Sequence, residues 1–344
     1  MIYLNCDYNE GAHPKVIENI IKANSTQEFG YGYDSYSAHA KELIKKAIKR
    51  PDAQVHFMVS GTPTNVTFIS HVLRPYETEI CTQTGHINVH ESGSVEARGH
   101  KVTTVISKDG KIYPDQIQEI MEEITYEPSC HLVIPKMVYL TIPTELGTMY
   151  TKSELEAIYK KCQDLDLYLY VDGARLGYGL TSEGCDLSLE TIANNCDAFY
   201  IGGTKCGALC GEAIVLLRDE FEANFLNSVK QAGQLLAKGR LLGSQFEALF
   251  TNNLYFDICK NANRLAIKVR DALEAKGIEF DVHSNTNQQF PILPNSFVEQ
   301  VKDEFAFEFV KKIDQDHTCY RICTSWATKE ENIDKLIEKI NELL

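Results

Sequence analysis

Between residues 55 and 217, short apolar runs alternate with segments whose apolar positions recur every three or four residues. Seven runs, at 56–61, 78–84, 101–107, 135–141, 167–172, 198–203 and 212–217, have the length and composition of strands. Several are apolar almost without interruption, as in Leu167-Tyr168-Leu169-Tyr170-Val171. A strand with no polar face is one buried on both sides, as in a mostly parallel sheet covered by helices. The intervening segments supply such helices. Thr151-Lys152-Ser153-Glu154 spells a capping box, and Leu155, Ile158, Tyr159, Cys162 and Leu165 fall on one face behind it. The runs at 198–203 and 212–217 lie too close for a helical crossover, so they are expected to be antiparallel or on different edges.

Beyond residue 218 the pattern changes. It predicts a long helical stretch over 219–276 broken near Gly239 and Gly243, then short strands near 280–282 and 320–324. A final helix carries Ile333, Leu336, Ile337, Ile340, Leu343 and Leu344 at helical spacing. The whole predicts an α/β fold, with a mostly parallel seven-stranded sheet flanked by helices and a smaller α+β C-terminal domain. The expected division is an N-terminal segment 1–15, a large domain 16–245 and a small domain 246–344. No Pro/Gly/Ser-rich linker separates the last two, so they are expected to dock tightly.

The length of 344 residues suits two units at roughly 150 residues each. A composition 44% hydrophobic and 24% charged excludes a mostly disordered chain. Lys and Arg number 34 against 48 Asp and Glu, and a net charge of −14 repels phosphate backbones, so no nucleic-acid partner is expected. The start Met1-Ile2-Tyr3-Leu4-Asn5-Cys6-Asp7 shows no basic leader, and no apolar run nears the ~18 residues of a membrane helix. Eleven scattered cysteines without a C-x-x-C pair read as reduced thiols. A cytoplasmic protein without a membrane partner is expected.

Ligands of α/β sheets sit outside the carboxyl ends of the strands, so the residues delivered there carry the chemistry. The run at 56–61 leads into Ser60-Gly61-Thr62-Pro63, with Thr62 as the expected N-cap and Pro63 as the first helical residue. Exposed N–H groups at such a start bind anions, although an ordinary capped helix would look the same. The next run delivers Gly85-His86-Ile87-Asn88-Val89-His90-Glu91, whose order does not match the H-E-x-x-H zinc pattern. His86 is a flat partner for an aromatic ligand or a satisfied loop histidine. The run at 167–172 ends on Asp172-Gly173-Ala174-Arg175. A carboxylate there needs a cation, either Arg175 or a ligand's protonated nitrogen, with Arg175 then meeting a ligand oxygen. Last comes Gly202-Gly203-Thr204-Lys205-Cys206-Gly207, a lone lysine in a glycine-rich turn after a buried strand. Inside a pocket its amine loses basicity and becomes a nucleophile. A ligand using all four groups carries a phosphate, a flat ring, a protonated ring nitrogen and an aldehyde, which describes pyridoxal 5′-phosphate.

The chain resembles the threonine aldolase/β-eliminating lyase family of pyridoxal-phosphate enzymes, with the aspartate-aminotransferase-like fold. The resemblance runs through Leu4-Asn5-Cys6-Asp7, Gly30-Tyr31-Gly32-Tyr33-Asp34, Ser60-Gly61-Thr62, Gly85-His86, Asp172-Gly173-Ala174-Arg175, Gly203-Thr204-Lys205 and Tyr320-Arg321. It implies that Lys205 binds the cofactor covalently, that Asp172 pairs with the ring nitrogen and that His86 stacks on the ring. It implies that Ser60, Gly61, Thr62 and Thr204 help hold the cofactor, chiefly its phosphate, and that Arg175 lies near the phenolate oxygen. Arg321, with Cys6 and Arg175, would meet the substrate. Tyr31 would reach a neighbouring subunit's site, making the protein a homo-oligomer, a dimer of dimers with shared active sites. The implied reaction is retro-aldol cleavage of threonine, allo-threonine or a related β-hydroxy amino acid to glycine and an aldehyde, with His86 or a water it holds as base. β-Elimination, transamination and a catalytically silent binding protein are the alternatives on the same scaffold. Three positions depart from the family pattern: Cys6 replaces a common Ser, Gly202 replaces another, and the loop Ile142-Pro143-Thr144-Glu145-Leu146-Gly147 lacks a His often found there.

Overall fold

The computed structural model describes residues 1–125 and 129–344. After β1 (Ile2–Tyr3), the central sheet is built from β2 (Gln54–Met58), β3 (Glu77–Thr82), β4 (Val102–Val105), β5 (Ile134–Thr141), β6 (Tyr168–Asp172), β7 (Ala198–Gly202) and β8 (Glu212–Leu216). All seven runs of the sequence pattern are therefore strands. Their order is β2-β8-β7-β6-β5-β3-β4. The sheet is parallel except at β8, which runs antiparallel to both β2 and β7. The short link between β7 and β8 leaves no room for a crossover, as the spacing required.

The unbroken apolar runs have a direct cause. Along β7, Phe199 and Ile201 join one apolar cluster while Ala198 and Tyr200 join the cluster on the other face. Leu169 and Val171 divide from Tyr170 on β6 in the same way. A side chain buried on either face gains roughly 1.5–3 kcal/mol over an exposed one, so neither face selects polar residues. The helix Lys152–Asp164 closes the face carrying Leu155, Ile158 and Cys162, and its Thr151–Glu154 capping box is formed in both directions.

The stretch beyond residue 218 breaks before Gly239 as expected, between the helices Phe225–Gln231 and Arg240–Phe250, but the second expected break is displaced. Gly239 does precede the helix Arg240–Phe250, but Gly243 lies inside it. A Cβ at Gly243 would come within 2.6 Å of the Ser37 Cα, on the facing helix Ser35–Ile48. The glycine is there for close helix packing and does not end a helix. The break falls at Asn252 and Asn253, whose φ values of 53° and 62° separate that helix from Leu254–Glu274. Asparagine tolerates this left-handed backbone better than most residues.

The remaining strands are β9 (Gln288–Gln289), β10 (Ile292–Pro294), β11 (Phe305–Ala306), β12 (Glu308–Lys312) and β13 (His317–Cys323). β13 pairs antiparallel with β9, β10 and β12. Only an isolated bridge, Phe280–Pro291, forms where a strand near 280 was expected. β12 went unseen because its side chains are mostly exposed and carry charge, which suits a sheet edge and leaves no apolar trace. β1 runs parallel to β11, and Leu4 joins Leu265, Phe305, Ile322 and Leu336 in a third apolar cluster. The chain's first residues are thus built into its last elements. Among the described residues no helix is long and apolar enough to cross a membrane.

One residue opposes its surroundings. Glu79, in the middle of β3, is fully buried, and neither carboxyl oxygen has a hydrogen-bond partner. Burial pushes its carboxyl up to about 8. The folded state therefore holds a proton that the unfolded chain releases near 4.5, and stability falls as pH rises between these two values. Urea unfolding of the native protein and Glu79→Gln should show the native protein losing a few kcal/mol relative to the variant between pH 5 and pH 8.5; parallel pH profiles would contradict this assignment.

Candidate active site

The carboxyl ends of the parallel strands surround a cavity of about 410 Å³. β2 and β3 deliver Ser60, Gly61, Thr62 and His86 to it, and β6 and β7 deliver Asp172, Arg175, Thr204 and Lys205. These eight are residues that the sequence had singled out. The antiparallel β8 adds one that it had not. Register places Glu212, at the start of β8, opposite Gly202 of β7 and Met58 of β2, so its carboxylate enters at the same edge.

Lys205 sits in a turn fixed from several sides. Gly203 N donates to Gly211 O at 3.2 Å and to Glu212 Oε2 at 2.7 Å. The Tyr178 hydroxyl donates to the Lys205 carbonyl at 2.6 Å. The amine lies 5.9 Å from the centre of the Tyr8 ring, and among the described residues no carboxylate comes within ion-pair distance of it. Burial, reinforced by the Arg175 guanidinium, holds the amine below the usual lysine range. Burial also pushes Glu212 up to about 7, against the pull of its hydrogen bonds and of Lys205.

Asp172 is buried and held by neutral donors. Tyr139 donates to Oδ2 at 2.6 Å, Asn65 to the same oxygen at 2.9 Å, and Ala174 N to Oδ1 at 3.0 Å. No cation among the described residues pairs with it. Of the two alternatives for this pair, the direct Asp172–Arg175 contact is absent, because Arg175 turns the other way. Its Nε and Nη2 bind Asp7 at 2.7 and 2.9 Å, a bidentate pair that Asn287 completes at 2.9 Å. Burial raises Asp7, but Arg175 and then Lys205 outweigh it and leave the carboxyl below its ordinary value.

A second buried carboxylate orders the imidazole. Glu91 Oε1 lies 2.7 Å from His86 Nδ1 and accepts from Asn65 at 2.8 Å. Asn65 therefore bridges the carboxylates of Glu91 and Asp172. The His86 backbone N–H donates to Glu145 Oε1 at 2.8 Å, and the Thr141 hydroxyl donates to the same oxygen at 2.6 Å. At the facing helix, Gly61–Val72, the N-cap is Ser60 and not Thr62, and Pro63 is the third helical residue. The Ser60 carbonyl accepts from Thr64, while Gly61 and Thr62 occupy the open first turn at the cavity.

Three expected site residues lie elsewhere. Tyr31 lines a separate pocket with Lys41, His56 and Leu242, and Lys230 lies 5.0 Å above its ring. Cys6 is buried behind the cavity, its thiol donating to Asn9 at 3.2 Å. Arg321 grips the Asn5 carbonyl through Nη2 at 2.8 Å and acts electrostatically on Tyr8 and His90 at the cavity mouth. Tyr8, His90, Glu145, Tyr200 and Glu212 line the cavity without having been assigned to it. The signal for Glu212 was present, since a carboxylate heading the apolar run Ala213-Ile214-Val215-Leu216 is as costly as Asp172.

An unpaired amine and a buried carboxylate without a cation face one cavity beside an open helix start. That donor set matches the aldehyde, protonated ring nitrogen and phosphate of pyridoxal phosphate. Fold and site together define a pyridoxal-phosphate enzyme of aminotransferase architecture. The sequence model for beta-eliminating lyases matches residues 7–295, and the chain belongs to that family, whose members are pyridoxal-phosphate-dependent lyases. It is similar to a solved threonine aldolase from Leishmania major, with TM-score 0.97 and 43% identity over 100% of this chain and 99% of that one. A low specificity L-threonine aldolase from a Pseudomonas species is 29% identical over 98% of this chain and 96% of its own length. Aspartate aminotransferase of Thermus thermophilus with maleate shares the fold alone, at TM-score 0.71 and 16% identity, covering 100% of this chain and 92% of that one.

Removing Asp7 strands a buried guanidinium beside Lys205. Asp7→Ala should lower stability by about 3–5 kcal/mol in urea unfolding, a far larger loss than an exposed ion pair gives. A loss below about 1 kcal/mol would mean that the pair is not the joint it looks to be.

Proposed function

We propose that this lyase cleaves the Cα–Cβ bond of threonine, allo-threonine or a related β-hydroxy amino acid, giving glycine and an aldehyde. The observation that carries the reading is the pairing of an amine of reduced basicity, Lys205, with the cation-free carboxylate of Asp172 across one cavity. When bound, pyridoxal phosphate supplies the electron sink that bond cleavage at Cα requires. Lys205 offers its aldehyde a nucleophile, and Asp172 offers its ring nitrogen a preformed anion. His86, its orientation set by Glu91, offers a flat ring to lie against the heterocycle. Ser60, Gly61, Thr62 and Thr204 offer N–H and hydroxyl donors for the phosphate.

Substrate orientation decides which bond breaks. Arg175 lines the cavity, and it is assigned with Arg321 and Cys6 to the substrate and its carboxylate. Arg175 keeps Nη1 for this purpose, since Asp7 takes Nε and Nη2. Tyr31 is assigned to a neighbouring copy's site, which makes the protein a homo-oligomer, a dimer of dimers. Its 45% exposure beside a pocket remote from its own lysine supports this. The chain is divided into 1–15, 16–245 and 246–344, and Asp7 of the first segment bonds to Arg175 of the second and Asn287 of the third. Eleven unpaired cysteines fit a reducing, cytoplasmic setting.

Supplied with pyridoxal phosphate, the protein should turn yellow, and borohydride should fix the cofactor to the peptide carrying Lys205. With threonine it should release acetaldehyde and glycine, and Lys205→Ala should lose both the adduct and turnover. Release of 2-oxobutyrate and ammonia instead would establish elimination. A colourless protein would point to a silent module.

A further inference from the structure

We propose that His90 receives the proton of the substrate's β-hydroxyl group. The inference rests on the retro-aldol reading and supplies the base that this reading leaves unnamed. His90 follows the short helix His86–Val89, and its ring lines the same cavity as Lys205, with its centre 5.6 Å from that of His86.

The two imidazoles are placed differently. His86 is pinned through Nδ1 by Glu91 and through its backbone by Glu145. A ring held flat against a cofactor presents its π face, and its nitrogen lone pair lies in the plane, directed away from a substrate carbon below. His90 has no such tie, because among the described residues its ring nitrogens have no hydrogen-bond partner. The nearby carboxyls are committed. Glu91 is bound to His86, Asn65 and Ser94, and Glu145 to Thr141 and the His86 N–H.

Charge favours the same assignment. Burial holds the His90 imidazole below the usual histidine range, and four titratable or charged neighbours push the same way. They are His86 on its own segment, Arg321 on β13, Lys205 after β7 and Arg175 after β6. At neutral pH the ring is therefore uncharged and keeps a lone pair. The guanidiniums of Arg321 and Arg175 favour negative charge growing on the β-oxygen. In the step, the hydroxyl O–H bond breaks and its proton passes to a His90 ring nitrogen. The O–H electron pair closes the aldehyde C=O as the Cα–Cβ bond breaks. The Cα–Cβ pair stays with Cα, which takes a proton from water to become glycine, balancing the one removed from the hydroxyl. His90 returns its proton to water at the open mouth.

The test compares the holoenzyme with His90→Asn and His90→Gln, using threonine turnover, glycine binding followed by cofactor absorbance, and histidine titration by NMR. Both variants should lose about 100-fold or more in threonine kcat, as expected for removal of a general base. KM for threonine and the Kd for glycine, which has no hydroxyl, should move less than about threefold. The rise of kcat/KM with pH through the value at which the His90 resonance titrates should vanish in both variants. Threonine kcat within about threefold of the native value would overturn the assignment. So would a parallel loss of glycine affinity, which marks a structural role. A native holoenzyme that binds glycine but makes no acetaldehyde would instead overturn the retro-aldol reading.

Discussion

The site depends on one buried ion pair. Asp7 and Arg175 meet in bidentate geometry with almost no solvent around them, and Asn287 closes the third side. Arg175 also faces Lys205, and like charge is part of what keeps that amine ready to lose its proton. A guanidinium could not occupy such a place without a matched anion, because desolvating an unpaired charge costs several kcal/mol. Asp7 thus allows a cation to sit beside the lysine, and that cation adds to what burial does to the amine. The same carboxylate reaches Lys205 with the opposite sign, so the amine's basicity is a balance set by both partners.

Around this joint the cavity is a set of carboxylates sorted by what holds them. Asp172 is surrounded by neutral donors, and the amide of Asn65 ties it to Glu91, which holds His86. Glu212 and Glu145 are pushed by burial toward their protonated forms. Asp7 alone has a permanent cation. Five acidic groups therefore line or underlie the lysine pocket without filling it with negative charge. Asp172, the one with neutral partners at the cavity wall, remains available to a ligand's positive nitrogen.

Much of this was legible in the chain, for reasons that can be named. Strand runs were visible because both sheet faces are buried, and Lys205 stood out because glycines surround a charge at the end of such a run. Asp172 was visible by the same cost argument, but its neighbours were not. Arg175, three residues on, was the local candidate, whereas its real partner Asp7 lies 168 residues away. Local sequence holds no record of a pairing made only by tertiary folding. Glu212 was hidden for a topological reason, since only the antiparallel direction of β8 brings its first residue to the active edge. β12 was hidden because an exposed edge strand has no apolar period. Gly243 misled because a glycine that admits a neighbouring helix and one that ends a helix are the same letter.

The path of the first ten residues carries a consequence for biogenesis. They run beside Phe305, hand a carbonyl to Cys323 and another to Arg321, and place Asp7 against Asn287. A nascent polypeptide emerging from the ribosome holds Lys205 long before it holds any of those partners. Until the last fifth of the chain has been synthesised, Asp7 lacks the Asn287 amide and the first segment lacks the strands it packs against. Joining the first segment to the last elements is thus a late step, and the Asp7–Arg175 pair gains its Asn287 partner only then.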